Sequence, residues 1–279
     1  MEPRVSIRWL GVAGVEITCG DRVLAIDPFF SRPPLRYLLF GRPETRAALV
    51  ARTMPRCDYI LVSHSHWDHV MDVPQVIRQT GAVAFGSANT GALLALHGIP
   101  GRHISAIEAG QSTTLGPFKV MVGSAHHPPA PFLPGPGPLA RGIRPPLRLR
   151  NYRIDTCLSF SIAVSGLRLL YTPREPSPGD VLFMGPVFNR TRAEELLRAI
   201  HPRAIIFVHW DNLFRPFTAP ERPLLSPAAA SMARERRWAE KVIPRARVPC
   251  PEVLKRYDLE DLLSESDERP GLSGPRRSS

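Results

Sequence analysis

The feature that most constrains the fold is a cluster of histidines and one aspartate directly after a short apolar run. The apolar run spans 59–62 and is followed, one residue later, by the sequence His-Ser-His-Trp-Asp-His. Alternate residues of an extended chain point to the same side, so His64 and His66 can share one metal ion. Asp68 and His69 follow where the chain is expected to turn into a helix, and they can face a second ion. Neutral imidazole and carboxylate are ligands that suit zinc and related divalent metals.

The rest of the chain has short, alternating strand patterns with helical segments between them, and this rhythm predicts an α/β sandwich of two sheets with helices outside. The predicted strands are 5–10, 14–19, 22–26, 59–62, 82–85, 118–122, 157–164, 167–171, 181–184 and 204–208. The predicted helices are 42–52, 73–80, 89–97, 192–200, 227–241 and 252–263. Thr191, followed by Glu194, resembles a capping box at the start of the fourth of these helices.

Length and hydropathy allow one substantial core, or at most two modest ones. The chain has 279 residues, 43% of them hydrophobic, which fits a single domain at 1–263. A polar tail at 264–279 is expected to be disordered. No apolar stretch approaches the roughly 20 residues of a membrane helix. Because the first residues lead straight into a strand pattern without a signal-peptide core, we expect a cytoplasmic protein of undetermined oligomeric state.

The net charge of +11 admits two interpretations. It is typical of proteins that bind polyanions, including nucleic acid. However, only three of the 36 basic residues are lysines and there are 31 prolines, a usage that compositional bias of the genome also explains. The four cysteines are scattered without CxxC spacing, so we expect neither disulfides nor a catalytic thiol. Cys19, Cys57 and Cys157 lie in or beside apolar runs and are expected to act as small buried hydrophobic residues.

A Pro/Gly-rich segment at 128–153 is predicted to be a long loop near the motif, because its prolines exclude a regular helix or a central strand. It contains no acidic residue. Arg148 and Arg150 in this loop are candidates for binding an anionic group of the substrate. Five apolar residues of the same loop could receive an acyl chain: Phe132, Leu133, Ile143, Leu147 and Leu149. The alternative is a solvated loop without a function.

Further candidate ligands follow other predicted strands, at positions where site residues usually gather. His126 and His127 follow the 118–122 strand, Glu175 follows 167–171, and His209 follows 204–208. Together with the motif, they supply the remaining members of a two-metal site. His126 and His127 point to opposite faces of an extended chain, so only one can be a ligand. The proline after His127 restrains that residue and slightly favours His126.

The sequence resembles the metallo-β-lactamase-fold superfamily of metal-dependent hydrolases. The resemblance rests on the His-Ser-His-Trp-Asp-His motif and on the Ala-Ile-Asp-Pro turn that contains Asp27. The Glu-Ala-Gly turn at 108–110 and the Val-His-Trp strand end at 208–210 add to it. It covers roughly residues 5–215 and is greatest for the lactonase and phospholipase-D-like branch. It implies an αββα sandwich of two mixed β-sheets flanked by helices.

The resemblance also implies roles for the candidate residues. His64, His66 and one of His126 or His127 would hold one divalent ion; Asp68, His69 and His209 would hold the other. Zinc is the expected metal, with iron or manganese as alternatives. In most members an aspartate bridges the two ions; here Glu175 occupies the corresponding turn. Asp27 would orient a ligand from behind, unless it belongs to a plain Asp-Pro turn.

The function that these expectations favour is hydrolysis by a metal-activated water, with Asp68 orienting that water or moving its proton. The substrate would be an ester, lactone or phosphodiester, either small or lipid-like and possibly anionic. One alternative is a ribonuclease of the tRNA-processing type, which the charge favours but the lack of an additional nuclease domain does not. The other alternative is a metal-free binding or scaffold protein with the same fold.

Overall fold

The structure is a computed structural model that describes residues 3–127, 134–216 and 232–264. The predictions for 128–133, including those for Phe132 and Leu133, lie outside the described residues. The same holds for the first residues of the 227–241 helix and for the tail after Ser264.

The described chain forms thirteen strands and seven α-helices. The strands are β1 (Val5–Gly11), β2 (Gly14–Cys19), β3 (Arg22–Ile26), β4 (Tyr59–Leu61), β5 (Val83–Gly86), β6 (Ile104–Ala106), β7 (Ser112–Leu115), β8 (Phe118–Ser124), β9 (Leu158–Val164), β10 (Leu167–Tyr171), β11 (Val181–Met184), β12 (Ala204–Phe207) and β13 (Arg256–Asp258). The helices are α1 (Ala47–Thr53), α2 (Trp67–Val70), α3 (Val73–Thr80), α4 (Ala88–Leu96), α5 (Arg190–Ile200), α6 (Met232–Val242) and α7 (Leu259–Ser264). Short 3-10 helices cover Leu35–Leu38, Gly101–His103 and Leu149–Asn151.

The strands form two mixed sheets. The first has the order β13-β1-β2-β3-β4-β5-β6, with antiparallel pairing from β13 to β3 and parallel pairing from β3 to β6. The second has the order β12-β11-β10-β9-β8-β7, in which only the β10-β11 and β11-β12 pairs are parallel. Parallel neighbours bring the ends of β3 and β4 to one sheet edge, and Asp27 and the motif follow those two ends.

The hydrophobic core has three layers, which follow from the period-two alternation of the strands. In β8, Phe118, Val120 and Val122 are buried between the sheets, while Lys119 and Met121 face outward. A second buried cluster joins the outer face of the first sheet to α1, α3 and α4, and a third joins the outer face of the second sheet to α5 and α6. This arrangement is the expected αββα sandwich.

Several predicted elements need correction. The predicted 42–52 helix begins only at Ala47. The helix predicted at 192–200 begins at Arg190, because the side chain of Asn189, rather than Thr191, caps it by accepting from Arg192 N. The segment 252–263 is not one helix: β13 pairs with the edge strand β1 before α7 begins. The short strands β6 and β7 were not predicted; both are only three or four residues long and partly exposed.

Candidate metal centre

The motif lies directly after β4, where the chain changes from an extended segment to α2. His66 is still extended, with φ −67° and ψ 152°, and the helix begins at Trp67. The Trp67 ring is fully buried and packs against Phe29 and Phe214, with ring centroids 5.4 Å away in each case. The apolar residue inside the motif therefore anchors the turn, so that the polar residues on either side of it have fixed directions.

The first group of side chains brings together His64, His66 and His127. One ring nitrogen from each lies within 4.8 Å of the others. His66 Nε2 lies 3.1 Å from the Pro134 carbonyl oxygen, which can only accept, so this nitrogen carries the proton. His66 Nδ1 and His64 Nε2 are buried and have no hydrogen-bond partner among the described residues. Unpaired buried polar atoms are costly, and here they are ring nitrogens of the same three-residue group.

The second group brings together Asp68, His69 and His209, again with ligand atoms within 4.8 Å of one another. His209 Nε2 lies 3.2 Å from Asp68 Oδ2, and His69 Nε2 lies 3.6 Å from the same oxygen. Asp68 Oδ1 is buried and has no partner among the described residues. The two groups adjoin, because the rings of His64 and His69 have centroids only 3.8 Å apart.

Asp27 supports the second group from behind. It is fully buried in the turn after β3, at a positive φ of 46°. Its Oδ2 accepts from His69 Nδ1 at 2.8 Å and from Ser63 Oγ at 2.5 Å, and its Oδ1 accepts from Ser63 N at 2.7 Å. The Tyr171 hydroxyl also donates to Oδ2 at 2.9 Å. This arrangement leaves His69 Nε2 to face the group, which is how a metal-binding imidazole is usually held.

His209 reaches the site because the chain after β12 is tied to the turn between β1 and β2. His209 N donates to Val12 O at 2.6 Å, and Val12 N donates to Asp211 Oδ1 at 2.9 Å. Asp211 Oδ2 is also paired with Arg32 Nη2 at 2.6 Å, and both side chains are almost completely buried. We call Val12, Arg32 and Asp211 the His209 latch. Gly11 permits it, because a Cβ there would lie 2.1 Å from Arg32 Nη2.

Burial and charge set the protonation states of the site. Burial lowers the pKa of the His64 and His66 imidazoles, so they remain in the neutral form that binds metals. Burial also opposes charge on His69, but the carboxylates of Asp27 and Asp68 outweigh it and raise the His69 pKa. Burial alone would raise the pKa of Asp68, yet His69 and His209 lower it below the ordinary carboxyl range. The Asp27 and Asp68 carboxylates thus favour a positive charge at His69, which a proton or a bound cation can supply.

Two of the candidate ligands are not in the site. His126 is exposed, and His127 takes the position for which His126 was slightly favoured, because the chain after β8 turns the second imidazole inward. Glu175 is not a bridging ligand: its side chain is 76% exposed and pairs with Arg174 and Arg192. Neither group contains a bridging carboxylate among the described residues.

The residues of the 128–153 loop that were predicted to contact the substrate differ in their exposure. Arg148 is half-buried and Arg150 is exposed, at the 3-10 helix Leu149–Asn151. Leu147 and Leu149 are buried in the core against the first sheet, so they anchor the loop and do not receive an acyl chain.

Sequence reasoning gave no role to Ser63, Tyr171 or the members of the latch. The available signal was weak: Asp211 lies two residues after His209, and Ser63 immediately precedes the motif.

The donor set fits a pair of divalent ions. The first group offers three imidazole nitrogens, and the second offers two imidazole nitrogens and a carboxylate oxygen. Each group contains a buried atom that nothing in the described chain satisfies. If each group held one ion, three protein ligands would leave room for water or substrate, as in catalytic rather than structural sites.

Comparison with known proteins places the chain in a family. The sequence model of a protein family, described as the beta-lactamase superfamily domain, matches residues 22–174, more than half of the chain. The protein therefore belongs to the beta-lactamase superfamily and has the metallo-β-lactamase fold. The narrower lactonase and phospholipase-D-like placement stays a prediction.

Curated relatives include a UPF0173 metal-dependent hydrolase of Anaeromyxobacter dehalogenans, 38% identical over 98 residues, which are 35% of this chain and 32% of the relative. Another, from Cupriavidus taiwanensis, is 32% identical over 120 residues, 41% of this chain and 37% of the relative. The match thus spans only about a third of the length of these relatives.

Among solved structures, Igni18, a metallo hydrolase of Ignicoccus hospitalis, superimposes with a TM-score of 0.60 at 15% identity, covering 91% of this chain and 97% of that one. CmlA, a diiron β-hydroxylase of Streptomyces venezuelae, gives 0.58 at 14% identity, covering 92% and 55%. At such identities the likeness extends to the fold alone. None of the described helices has the length and apolar composition to cross a bilayer.

Proposed function

We propose that this protein is a metal-dependent hydrolase that holds two divalent ions, most simply Zn²⁺. The observation that carries the proposal is the convergence of two three-residue groups, His64/His66/His127 and Asp68/His69/His209, with unsatisfied atoms in each. When bound, such a pair of ions lowers the pKa of a water molecule towards neutrality and polarises the bond under attack. The relatives named metal-dependent hydrolases support this class.

The protein's own contribution is to fix the ligands and orient the attacking water. Asp68 is held ionised by its imidazole neighbours, so Oδ1 can accept a hydrogen bond from that water and fix its direction. Asp27 and Pro134 O hold the outer nitrogens of His69 and His66, so neither ring has to reorient when a ligand binds. Pre-organisation of this kind removes reorganisation from the chemical step.

For the substrate we propose an ester, a lactone or a phosphodiester in a small or lipid-like molecule. The 134–153 part of the loop lies against the motif, because the Ser65 hydroxyl donates to Arg153 O at 2.6 Å and His66 bonds to Pro134 O. This part of the loop contains five arginines and no acidic residue. An anionic substituent near the scissile bond would therefore meet complementary charge, with Arg148 and Arg150 as the candidate contacts.

The experiment that tests the proposal is turnover of a substrate panel by the metal-loaded chain. The panel contains generic esters, lactones, phosphodiesters and a precursor tRNA. Hydrolysis of at least one ester, lactone or diester by the wild type, with more than about 100-fold loss in Asp68→Asn, supports the proposal. The Asp58→Asn variant is the matched control, since Asp58 accepts from Val23 N and Arg22 away from the site. Cleavage of the RNA alone, with a steep salt dependence, would favour the nuclease. Absence of bound metal would favour the scaffold.

A further inference from the structure

The loop between β3 and α1 carries an exposed apolar tip. Leu35, Leu39 and Phe40 are 60%, 75% and 71% exposed. They account for half of the large hydrophobic side chains that are exposed in the described chain; the others are Leu96, Met121 and Phe188. We call residues 35–40 the apolar tip. Soluble surfaces rarely cluster such residues without a binding role.

The base of this loop is fixed by hydrogen bonds to a buried side chain. Asp72 is fully buried and accepts from Phe30 N, Ser31 N and the Ser31 hydroxyl at 2.6–2.8 Å. Ser31 Oγ in turn accepts from Arg46 N at 2.8 Å, which closes the two ends of the loop on one point. The buried Asp72 side chain therefore fixes the base of the loop that carries the apolar tip.

The inner side of the tip packs against the loop that borders the metal groups. Tyr37 and Leu38 are partly buried against the same hydrophobic cluster as Leu147 and Leu149. The 3-10 helix Leu35–Leu38 also contacts the 3-10 helix Leu149–Asn151 of the loop. Arg42 Nη1 donates to Pro146 O at 3.2 Å. The apolar tip and the 134–153 loop therefore form one continuous surface next to the site.

The charge of this surface is one-sided. Glu44 is the single acidic residue in 31–46, and there is none in 134–153. The exposed arginines of these two segments are Arg36, Arg42, Arg46, Arg141, Arg144 and Arg150. Exposed Leu and Phe surrounded by arginine suit a membrane interface, where the apolar side chains enter the acyl boundary and the guanidinium groups meet anionic headgroups. Aliphatic leucines offer no stacking platform for RNA bases.

We propose that the apolar tip and the arginines around it bind the surface of a membrane that contains anionic lipid. The binding is peripheral and reversible, because the apolar area is that of three side chains. It does not depend on the proposed hydrolase activity. Where both hold, the surface would bring a lipid-like substrate to the loop beside His66.

The test is co-sedimentation of the full chain with vesicles of phosphatidylcholine, alone or mixed with phosphatidylglycerol. We expect binding to the mixed vesicles that weakens with added salt, and little binding to phosphatidylcholine alone. The Leu39→Ser/Phe40→Ser double variant should bind the mixed vesicles about tenfold more weakly. The Met121→Ser/Phe188→Ser variant is the matched control, since those side chains are similarly exposed elsewhere, and it should bind like the wild type.

Absence of binding to the mixed vesicles would overturn the inference, as would equal loss in the two double variants or equal binding to both kinds of vesicle. A further outcome would also overturn it: the wild type does not bind vesicles but self-associates, and Leu39→Ser/Phe40→Ser makes it a monomer. The apolar tip would then bind a second copy of the chain. Binding is measured with chelator present as well; we expect it to be unchanged, so that failure of the hydrolase proposal and failure of this one remain distinguishable.

Discussion

At the scale of single residues, three imidazoles of the site share one arrangement. One ring nitrogen of each is hydrogen-bonded to another part of the protein, and the other ring nitrogen points towards the remaining candidate ligand atoms. Ser63 Oγ–H donates to Asp27, so its oxygen accepts from His64 Nδ1 at 3.0 Å. Asp27 fixes His69 Nδ1, and Pro134 O fixes His66 Nε2. The inward atoms are therefore His64 Nε2, His66 Nδ1 and His69 Nε2. Which nitrogen points inward, Nε2 or Nδ1, is set by the hydrogen-bond partner of each ring and does not follow from the spacing of the histidines.

The adjacent histidines after β8 provide a matched pair of variants. His127→Ala removes a member of the first group, whereas His126→Ala changes an exposed side chain. We expect His127→Ala to weaken zinc binding at the first group by more than about tenfold, since even loss of an outer partner costs about 10–100-fold. His126→Ala should bind zinc like the wild type. Titration calorimetry of the metal-free chain with zinc measures both. An equal effect of the two substitutions would show that His127 is not a ligand.

The sequence could predict that the motif histidines and His209 lie close together, because each follows a strand end. It could not choose between His126 and His127, since both orientations are compatible with an extended chain before a proline. The choice depends on the direction in which the chain leaves β8. Glu175 was a candidate for the bridging ligand because it lies in the turn after β10, but its side chain is exposed and pairs with Arg192.

At the scale of elements, the turn between β1 and β2 and the segment after β12 act together through the His209 latch. Arg32→Met would leave the buried Asp211 carboxylate with the Val12 N–H bond but without its cationic partner. We expect a loss of about 3–5 kcal/mol in the free energy of unfolding. Urea denaturation of the metal-free chain measures it. Arg203→Met, which removes a mostly exposed pair with Asp180, is the control and should cost about 0–1 kcal/mol. Similar costs for the two variants would contradict the structural role of the latch.

The 134–153 loop supports a second prediction at this scale. Arg148→Ala/Arg150→Ala should raise KM for an anionic substrate about tenfold, the cost of losing a charge-assisted hydrogen bond, with metal content unchanged. Arg198→Ala, an exposed arginine near the end of α5, is the control and should have no effect. Unchanged KM in the double variant would exclude these arginines as substrate contacts.

The strand 167–171 and the helix 73–80 were predicted with the bounds that the structure has. Prediction failed where tertiary contacts decide. Arg256 in β13 donates to Ser6, Thr18 and Glu16, so edge pairing outweighs the helical pattern of 252–263. Strand β7 reads as polar in sequence and is held mainly by its pairing with β8.

At the scale of the whole molecule, the two groups join the two sheets. The motif follows β4 of the first sheet, whereas His127 and His209 follow β8 and β12 of the second. Any ion held by these groups therefore cross-links the halves of the sandwich, and only the folded state offers the site.

This arrangement predicts that metal removal lowers thermal stability. A ligand at 100 times its Kd stabilises the folded state by about 2.7 kcal/mol, which corresponds to about 5–10 °C in Tm for a chain of this size. Thermal unfolding with and without a chelator measures the difference. The His64→Ala/His69→Ala variant is the control, because chelator should leave its Tm nearly unchanged. A wild-type Tm that does not respond to chelator would contradict the cross-linking role.

The most direct test of the central claim, that two adjoining groups each hold a divalent ion, is the metal content of the purified chain after metal-supplemented expression. Elemental analysis should give about two ions per wild-type chain and about one per chain in each of His127→Ala and His209→Ala. A wild-type chain without bound metal, or single variants that both retain the full wild-type content, would contradict it.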